Sequence, residues 1–469
     1  MPYRRRIASA AIALIATICA APATPAGAED GLLDDTFSTD GLLLIGWSGG
    51  TQPARAYAVD SFPDGSLLVA GDVEVASANP DLGFVKITAA GLVDVGWGAL
   101  GRRIVPIDAE PGGDDSVRAL AILPDGSAIA AGFTLFYFPN EEFPAYRPAL
   151  TRLDVDGNLE ATFGDAGVAI IDLPWATGDF SLDLTLMQPD GRAIYAGYCY
   201  DCPLPGDGRS TLLLRVGTDG APDPTFSGDG WIREATGTLG TFSPSAIALD
   251  GAGRIVLLGG VGGGQHGLLR LTSSGALDTS FGGGDGVATF PSPVGLSNPH
   301  GLAIDGSSGA IYWSYFSAAG PNQNFSTVQR FAADGTPDAA FGGDGTVELV
   351  YQERIQIDSL AVQTDGKIVA GGYRFDQQTL DREWMLYRLT SAGALDGTFD
   401  SNGRRLVDFG QPAGQGEAIQ TLHLAGGRTV AIGRIEVGGV NRYGIARLTS
   451  DLIFRDGFER ASAEGWLGN

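Results

Sequence analysis

Seven times between residues 34 and 449 the chain repeats one clause, and that recurrence limits its fold more than any other feature. The clause is a base, a glycine five residues on, an acid three later, an aromatic three after that, then a second glycine. Arg270, Gly275, Asp278, Phe281 and Gly286 show it in full. A period of roughly sixty residues marks stacked supersecondary units, in a solenoid, a propeller or an array. It fixes an architecture rather than a chemistry.

The base stands at Lys86, Arg152, Arg215, Arg270, Arg330, Arg388 and Arg447. Its acid follows eight residues later at Asp94, Glu160, Asp223, Asp278, Asp338 and Asp396, while Arg447 has no acid at that distance. Asp34, Thr36, Phe37 and Gly41 hold the missing half at the other end of the chain. In a closed ring the halves meet, and Arg447 pairs with Asp34.

Within each unit four short apolar stretches fit strands; in the second they fall near 102–108, 117–123, 128–133 and 149–154. Pro124-Asp125-Gly126 joins the middle two, and Asp-Gly between apolar runs signals a type I′ hairpin. The same turn recurs at Asp64-Gly65, Asp190-Gly191 and Asp365-Gly366, with altered versions at Asp250-Gly251, Asp305-Gly306 and Gly426-Gly427. The strand after it tends to end in a small pair, as in Ala131-Gly132 and Ala196-Gly197, which points to close backbone approach. The expected fold is all-β: a seven-bladed β-propeller of four-stranded blades, closed by the N-terminal segment completing the last repeat. A linear solenoid would leave the broken repeat unpaired and expose apolar faces at both ends.

The 71 glycines and 25 prolines come with 44% apolar residues, which describes a turn-rich chain with a core rather than a disordered one. A net charge of −25 disfavours nucleic acid and anionic membranes as partners. Lys86 and Lys367 are the only lysines, so nearly all positive charge is arginine, suited to fixed, directional pairs. Arg4, Arg5 and Arg6, an apolar run over 7–21 and Ala26-Gly27-Ala28 read as a signal peptide over 1–28. That run is shorter than the stretch of about 20 residues a membrane span needs. The expectation is a secreted, periplasmic or cell-surface monomer, with the propeller over 29–450 and a tail over 451–469.

Two readings of the repeated bases compete. In one they ring a channel and bind an anion. In the other each arginine ends the outer strand, meets its acid across a short turn and pins the crossover to the next blade. The second fits better, because each base has its own acid and little positive field is left over. The aromatics Phe37, Trp97, Phe163, Phe226, Phe281, Phe341 and Phe399 read as wedges between blades rather than as a carbohydrate platform.

Gly275-Ala276-Leu277-Asp278-Thr279-Ser280-Phe281-Gly282 and Gln363-Thr364-Asp365-Gly366-Lys367-Ile368-Val369-Ala370-Gly371-Gly372 resemble the delta-60 repeat family of bacterial secreted β-propellers. The resemblance covers about 34–450, departing at Trp97 and Glu160, and implies fold and secretion but no catalytic residues. The tail from Ile453 to Glu459, with Trp466, is similar to a short ending on unrelated secreted proteins of Gram-negative bacteria, which implies a sorting tag. Packing of that tail as a strand on the last blade is the other reading.

Other motifs carry less. Gly46-Trp47-Ser48-Gly49-Gly50 matches an esterase elbow on paper, but that chemistry needs a helix after the serine, and nothing helical is expected there. Gly262, Gly264 and Gly267 fit a dinucleotide fingerprint without a helix to follow it and read as a flexible loop. Asp154-Val155-Asp156-Gly157-Asn158 with Glu160 has a calcium-loop composition without the full EF-hand spacing, so no cofactor is expected beyond that calcium option. Cys199 and Cys202 read as a local disulfide of a secreted protein. His266, His300 and His423 lack metal-ligand spacing. The segment from Asn298 to Trp313 looks like a blade of the NHL and YWTD propellers.

The functional expectation is a non-catalytic binding or scaffold module for a protein, glycan or envelope component. Loops near 133–148, 198–211, 316–326 and 373–384 depart most from the repeat and are the expected contacts. The alternative is a metal-dependent hydrolase, lyase or lactonase with its site in the central channel, which rests on fold analogy.

Overall fold

The structure, a computed structural model, describes residues 30–449 apart from 77–78, 108, 110–112, 137–144, 174–179, 201–208, 235–241, 263–264, 292–295, 321–322, 351–353, 376–380 and 412–417. Its strands form seven four-stranded antiparallel sheets, or blades. Blades one to six cover 54–105, 115–170, 180–234, 243–291, 296–349 and 354–407, each with four consecutive strands side by side in chain order. Blade seven takes Ala418–Ala425, Arg428–Val437 and Val440–Leu448 from the end of the chain and its outer strand, Leu42–Ile45, from the start. Leu42 pairs with Ala446 and Ile45 with Tyr443. The fold is therefore the seven-bladed, N-terminally closed propeller expected from the broken repeat.

The strand register corrects one detail. Arg102–Val105 is the outer strand of blade one, not the opening strand of the unit after it. Blade two runs Asp115–Ile122, Ala128–Phe136, Ala145–Leu153 and Val168–Ile170. A period can be cut anywhere along the chain, and turn signals do not say which strands share a sheet.

The first strand of each blade packs against the first strands of both neighbours all the way round, so these seven strands ring the axis. Seven apolar clusters lie between blades, each drawn from two adjacent ones. Ile194, Leu213 and Phe226 of blade three, for example, pack with Leu257, Leu269 and Val287 of blade four. Each sheet hides both faces against its neighbours, which is why no blade could stand alone.

Two local devices shape the ring. The turn Phe62-Pro63-Asp64-Gly65 closes through Gly65 N donating to Phe62 O at 2.9 Å, with only the glycine at positive φ (82°). One left-handed residue rather than two makes it a type I turn ending in glycine, with proline in its preferred place, and not the expected type I′. Asp64 Oδ1 accepts from Ser66 N and Ser66 Oγ, at 2.9 and 2.6 Å, and fixes that geometry. Inner strands carry a bulge, as between Val117 and Ala119, opposite a glycine of the second strand. A Cβ on Gly132 would lie 1.8 Å from Ser116 O, so the small pairs seen in the sequence let the inner strand kink.

Candidate functional site

The repeated bases lie away from the axis, each near the end of its blade's third strand rather than of the outer one. The acid sits in the turn that leads back into the fourth strand of the same sheet. All seven pairs meet. Lys86 Nζ is 3.3 Å from Asp94 Oδ2, Arg215 Nε 2.8 Å from Asp223 Oδ2 and Arg270 Nε 2.8 Å from Asp278 Oδ2. Arg330 and Arg388 approach Asp338 and Asp396 at 2.6 and 2.7 Å, and Arg447 Nε approaches Asp34 Oδ2 at 2.9 Å. Arg152 is the loosest, 3.9 Å from Glu160 and nearer, at 3.1 Å, to Asp125.

The arginine does more than neutralise its acid. Arg270 Nη2 donates to Ser280 Oγ at 3.2 Å, its guanidinium lies 4.5 Å over the Phe281 ring, and Nη1 donates to Ala333 O of the next blade at 2.6 Å. Phe281 in turn rests against Gly335 of that blade, where a Cβ would come within 2.5 Å of the ring. A planar fork over an aromatic face can hold all these partners at once, which a lysine cannot. The hydroxyl of Ser280, working against burial, and Arg270 hold the Asp278 carboxyl at about 2. Burial pulls Asp396 upward, but Thr398, Arg388 and Lys367 outweigh it and hold it at about 2 as well.

At the seam the same clause is built from both ends of the chain. Asp34 N donates to Arg447 O and Arg447 N to Gly41 O, both at 2.9 Å, and Arg447 stacks 4.5 Å over Phe37. The clause starts three residues earlier than its acid suggested. Gly31, with φ of 79°, donates to Thr449 O at 3.0 Å and lies against Phe399 of blade six. Asp30 pairs with Arg388 and accepts from Asp400 N at 2.8 Å. Gly31, Asp34 and Phe37 keep the three-residue steps of Gly275, Asp278 and Phe281, so the signal was present in the sequence.

The remaining motif residues disperse. Ser48 sits in the short 3-10 turn Ser48–Gly50 and donates to Gln52 Oε1 at 2.7 Å. Gly262 and Gly267 belong to the strands Ile255–Gly262 and Gln265–Leu271, which corrects the loop reading; the hairpin's apolar pairing overrides the glycine content. Gly264 lies outside the described residues. Asp154 Oδ1 accepts from Asp156 N and Asn158 N of its own turn, at 2.9 and 2.8 Å. Cys199 is buried, and Cys202, its partner in the expected disulfide, lies outside the described residues. The middle of each of the four variable loops lies outside them too. The segment from Asn298 to Trp313 is the first hairpin of blade five. No group of three or more His, Cys, Asp or Glu is placed to hold a metal among the described residues.

A different set of residues gathers at the axis, where the chain enters the inner strands. A cleft of about 410 Å³ opens there, lined by Ser245 of blade four, Gln356, Asp358, Tyr373 and Arg382 of blade six, and Ala418, Gln420 and Arg434 of blade seven. Tyr373 Oη donates to Gln356 Oε1 at 2.8 Å, and Gln356 Nε2 donates to Asp358 Oδ1 at 2.9 Å. Arg382 lies 4.8 Å over the Tyr373 ring. Burial, then the nearby charges of Arg55 and Arg382, lower the pKa of Arg434. Beside the cleft Arg118 stacks 4.3 Å over Tyr57, and Asp72 accepts from Ser116 Oγ at 2.8 Å and Val117 N at 3.3 Å. Burial, opposed by Arg118 and Ser116, pushes the Asp72 carboxyl up to about 6.

The opposite end of the inner strands holds His423, whose Nε2 is 3.1 Å from Ser61 Oγ and 3.9 Å from Asp60 Oδ1. Burial pushes this imidazole toward its neutral form, against Asp60. Both contacts fall on one ring nitrogen, so the carboxylate does not orient the imidazole as a nucleophile's base requires. His266 is packed against Phe290 and Trp313.

Residues 188–226 and 363–399 match the family profile described as a β-propeller domain of unknown function, DUF5122. Both segments run from the aspartate-glycine turn to the aromatic of the clause. No curated protein matches the chain. Among solved structures it is similar to the β-propeller domain of the Trilobed protease from Pyrococcus furiosus, at 9% identity, 84% of this chain, 94% of that chain and a TM-score of 0.41. An α-L-arabinofuranosidase, Arb93A from Fusarium graminearum, stands at 11% identity, 87% and 96% coverage and a TM-score of 0.41. Drosophila semaphorin 1b, extracellular domains 1–2, stands at 10%, 90% and 87%, with a TM-score of 0.40. The two profile matches support a β-propeller repeat family.

Proposed function

We propose that this propeller is a secreted binding module, its repeats of the delta-60 type, that takes a polar glycan or peptide segment at the mouth of its axial funnel. The observation that carries the reading is the convergence of side chains from blades four, six and seven on one open cleft. Guanidinium, amide, phenol and hydroxyl groups project there from strands, so their geometry is held by the sheets rather than by loops. The basic and apolar leader in the sequence supports export. Glycan and peptide arrays probed with wild type and with the double variant Gln356→Ala/Gln420→Ala test the proposal. Retention should fall for the funnel variant and persist for Arg254→Ala on the opposite face; equal retention by all three would end it.

A further inference from the structure

We infer that the funnel mouth is an anion site whose ligand is a carboxylate-bearing sugar. The inference rests on the binding role proposed above and narrows its ligand.

Within a chain of net charge −25, Arg382 and Arg434 line the same cleft, and the charges of Arg55 and Arg382 both bear on Arg434. Arg382 is half-buried, and its guanidinium stacks on Tyr373. Arg55 is exposed, and its charge reaches both Arg434 and Asp72. Like charges held together raise the energy of the empty site, and a bound anion relieves that repulsion. A guanidinium fixed on a tyrosine face presents its fork edge-on, the geometry that a planar carboxylate accepts.

The rest of the lining sets the size and character of the ligand. Gln420, Gln356 and Ser245 add neutral donors and acceptors on several sides of a cleft of about 410 Å³, and Ala418 is its one small apolar wall. A bare inorganic anion would leave those groups without partners. An aliphatic ligand would find almost no apolar surface. A ring carrying several hydroxyls and one carboxylate uses both halves of the lining. Asp358 faces the same space and, with Gln356, accepts hydroxyl donors while repelling a second carboxylate.

Titration calorimetry of the full chain tests this with four probes: D-glucuronate, D-glucose, inorganic phosphate and a tetraglutamate peptide. Glucuronate should bind saturably and at least about ten-fold more tightly than the other three, since charge-assisted hydrogen bonds of this kind outweigh neutral ones. Arg382→Gln and Arg434→Gln should each weaken it by about ten-fold, and rising salt should weaken it in wild type. Arg55→Gln, at an exposed position whose charge reaches Arg434, should weaken it by a smaller factor and keeps the test open should either of the others fail to fold. Glucose bound as tightly as glucuronate, equal binding of phosphate or the peptide, binding untouched by the substitutions, or no binding at all would each overturn the inference. Array retention of a neutral glycan that is lost in Gln420→Ala would leave the binding role standing and end only the acidic-sugar assignment.

Discussion

One face of the ring repeats itself and the other does not. On the face bearing the aspartate-glycine turns, seven copies of one lock join neighbouring blades, each a base on an acid and, in most blades, on an aromatic ring as well. At the funnel mouth, Arg382, Tyr373, Gln356, Gln420 and Arg434 have no counterparts in the clause. The first face solves one problem, holding sheet to sheet, and the same solution works at each junction. The second is freed from that duty, so its positions can answer to a ligand. The seam belongs to the first face: chain ends more than 400 residues apart rebuild the lock with the same hydrogen bonds as an unbroken turn.

The largest test of that equivalence removes residues 30–45. Loss of the outer strand, Phe37 and the partner of buried Arg447 should cost more than about 5 kcal/mol and abolish cooperative melting in circular dichroism. A folded, cooperative truncated protein would show that the seam is not equivalent to the other six junctions. Next, Arg388→Ala should cost about 3–5 kcal/mol in urea unfolding, because its side chain is 0% exposed and its removal takes a buried cation away from both Asp30 and Asp396. Arg152→Ala, with the side chain 22% exposed and its repeat acid 3.9 Å away, should cost about 1 kcal/mol or less. Equal losses would mean that the lock does not depend on burial.

Protonation separates the two faces by pH. Asp72 titrates near 6 in the folded protein, above the ordinary carboxylate range. Its folded state therefore takes up a proton more readily than the unfolded chain, and this group adds stability as pH falls from about 7 to 4, up to about 3 kcal/mol. Asp278 and Asp396, held at about 2, act with the opposite sign. Their contribution is present above about pH 4 and lost as pH falls toward 2. Asp72→Asn should flatten melting temperature between pH 7 and 5 and leave the acid limb unchanged. An unaltered upper limb would remove Asp72 from the account.

The ring was legible because its lock is periodic. Base, glycine, acid and aromatic recur at fixed steps, and the orphaned Arg447 and Asp34 announce closure. Strand roles were less legible: spacing showed that Arg270 meets Asp278 but not that the turn between them lies inside a blade, since an offset period looks the same. The funnel was the least legible part. Gln356 and Arg382 come from non-adjacent strands of blade six and Arg434 from blade seven, and repetition averages such positions away. One trace existed. Arg55, Arg118, Arg382 and Arg434 lack an acid eight residues on, which would have set them, among others, apart from the lock arginines.

The seam has a geometric consequence. Asp30 and Thr449 lie side by side in a single turn, Gly31 N reaching Thr449 O at 3.0 Å, on the face away from the funnel mouth. Anchoring the molecule by its head or by its tail would thus set it down in the same pose, with the cleft pointing outward like a cup on a tray.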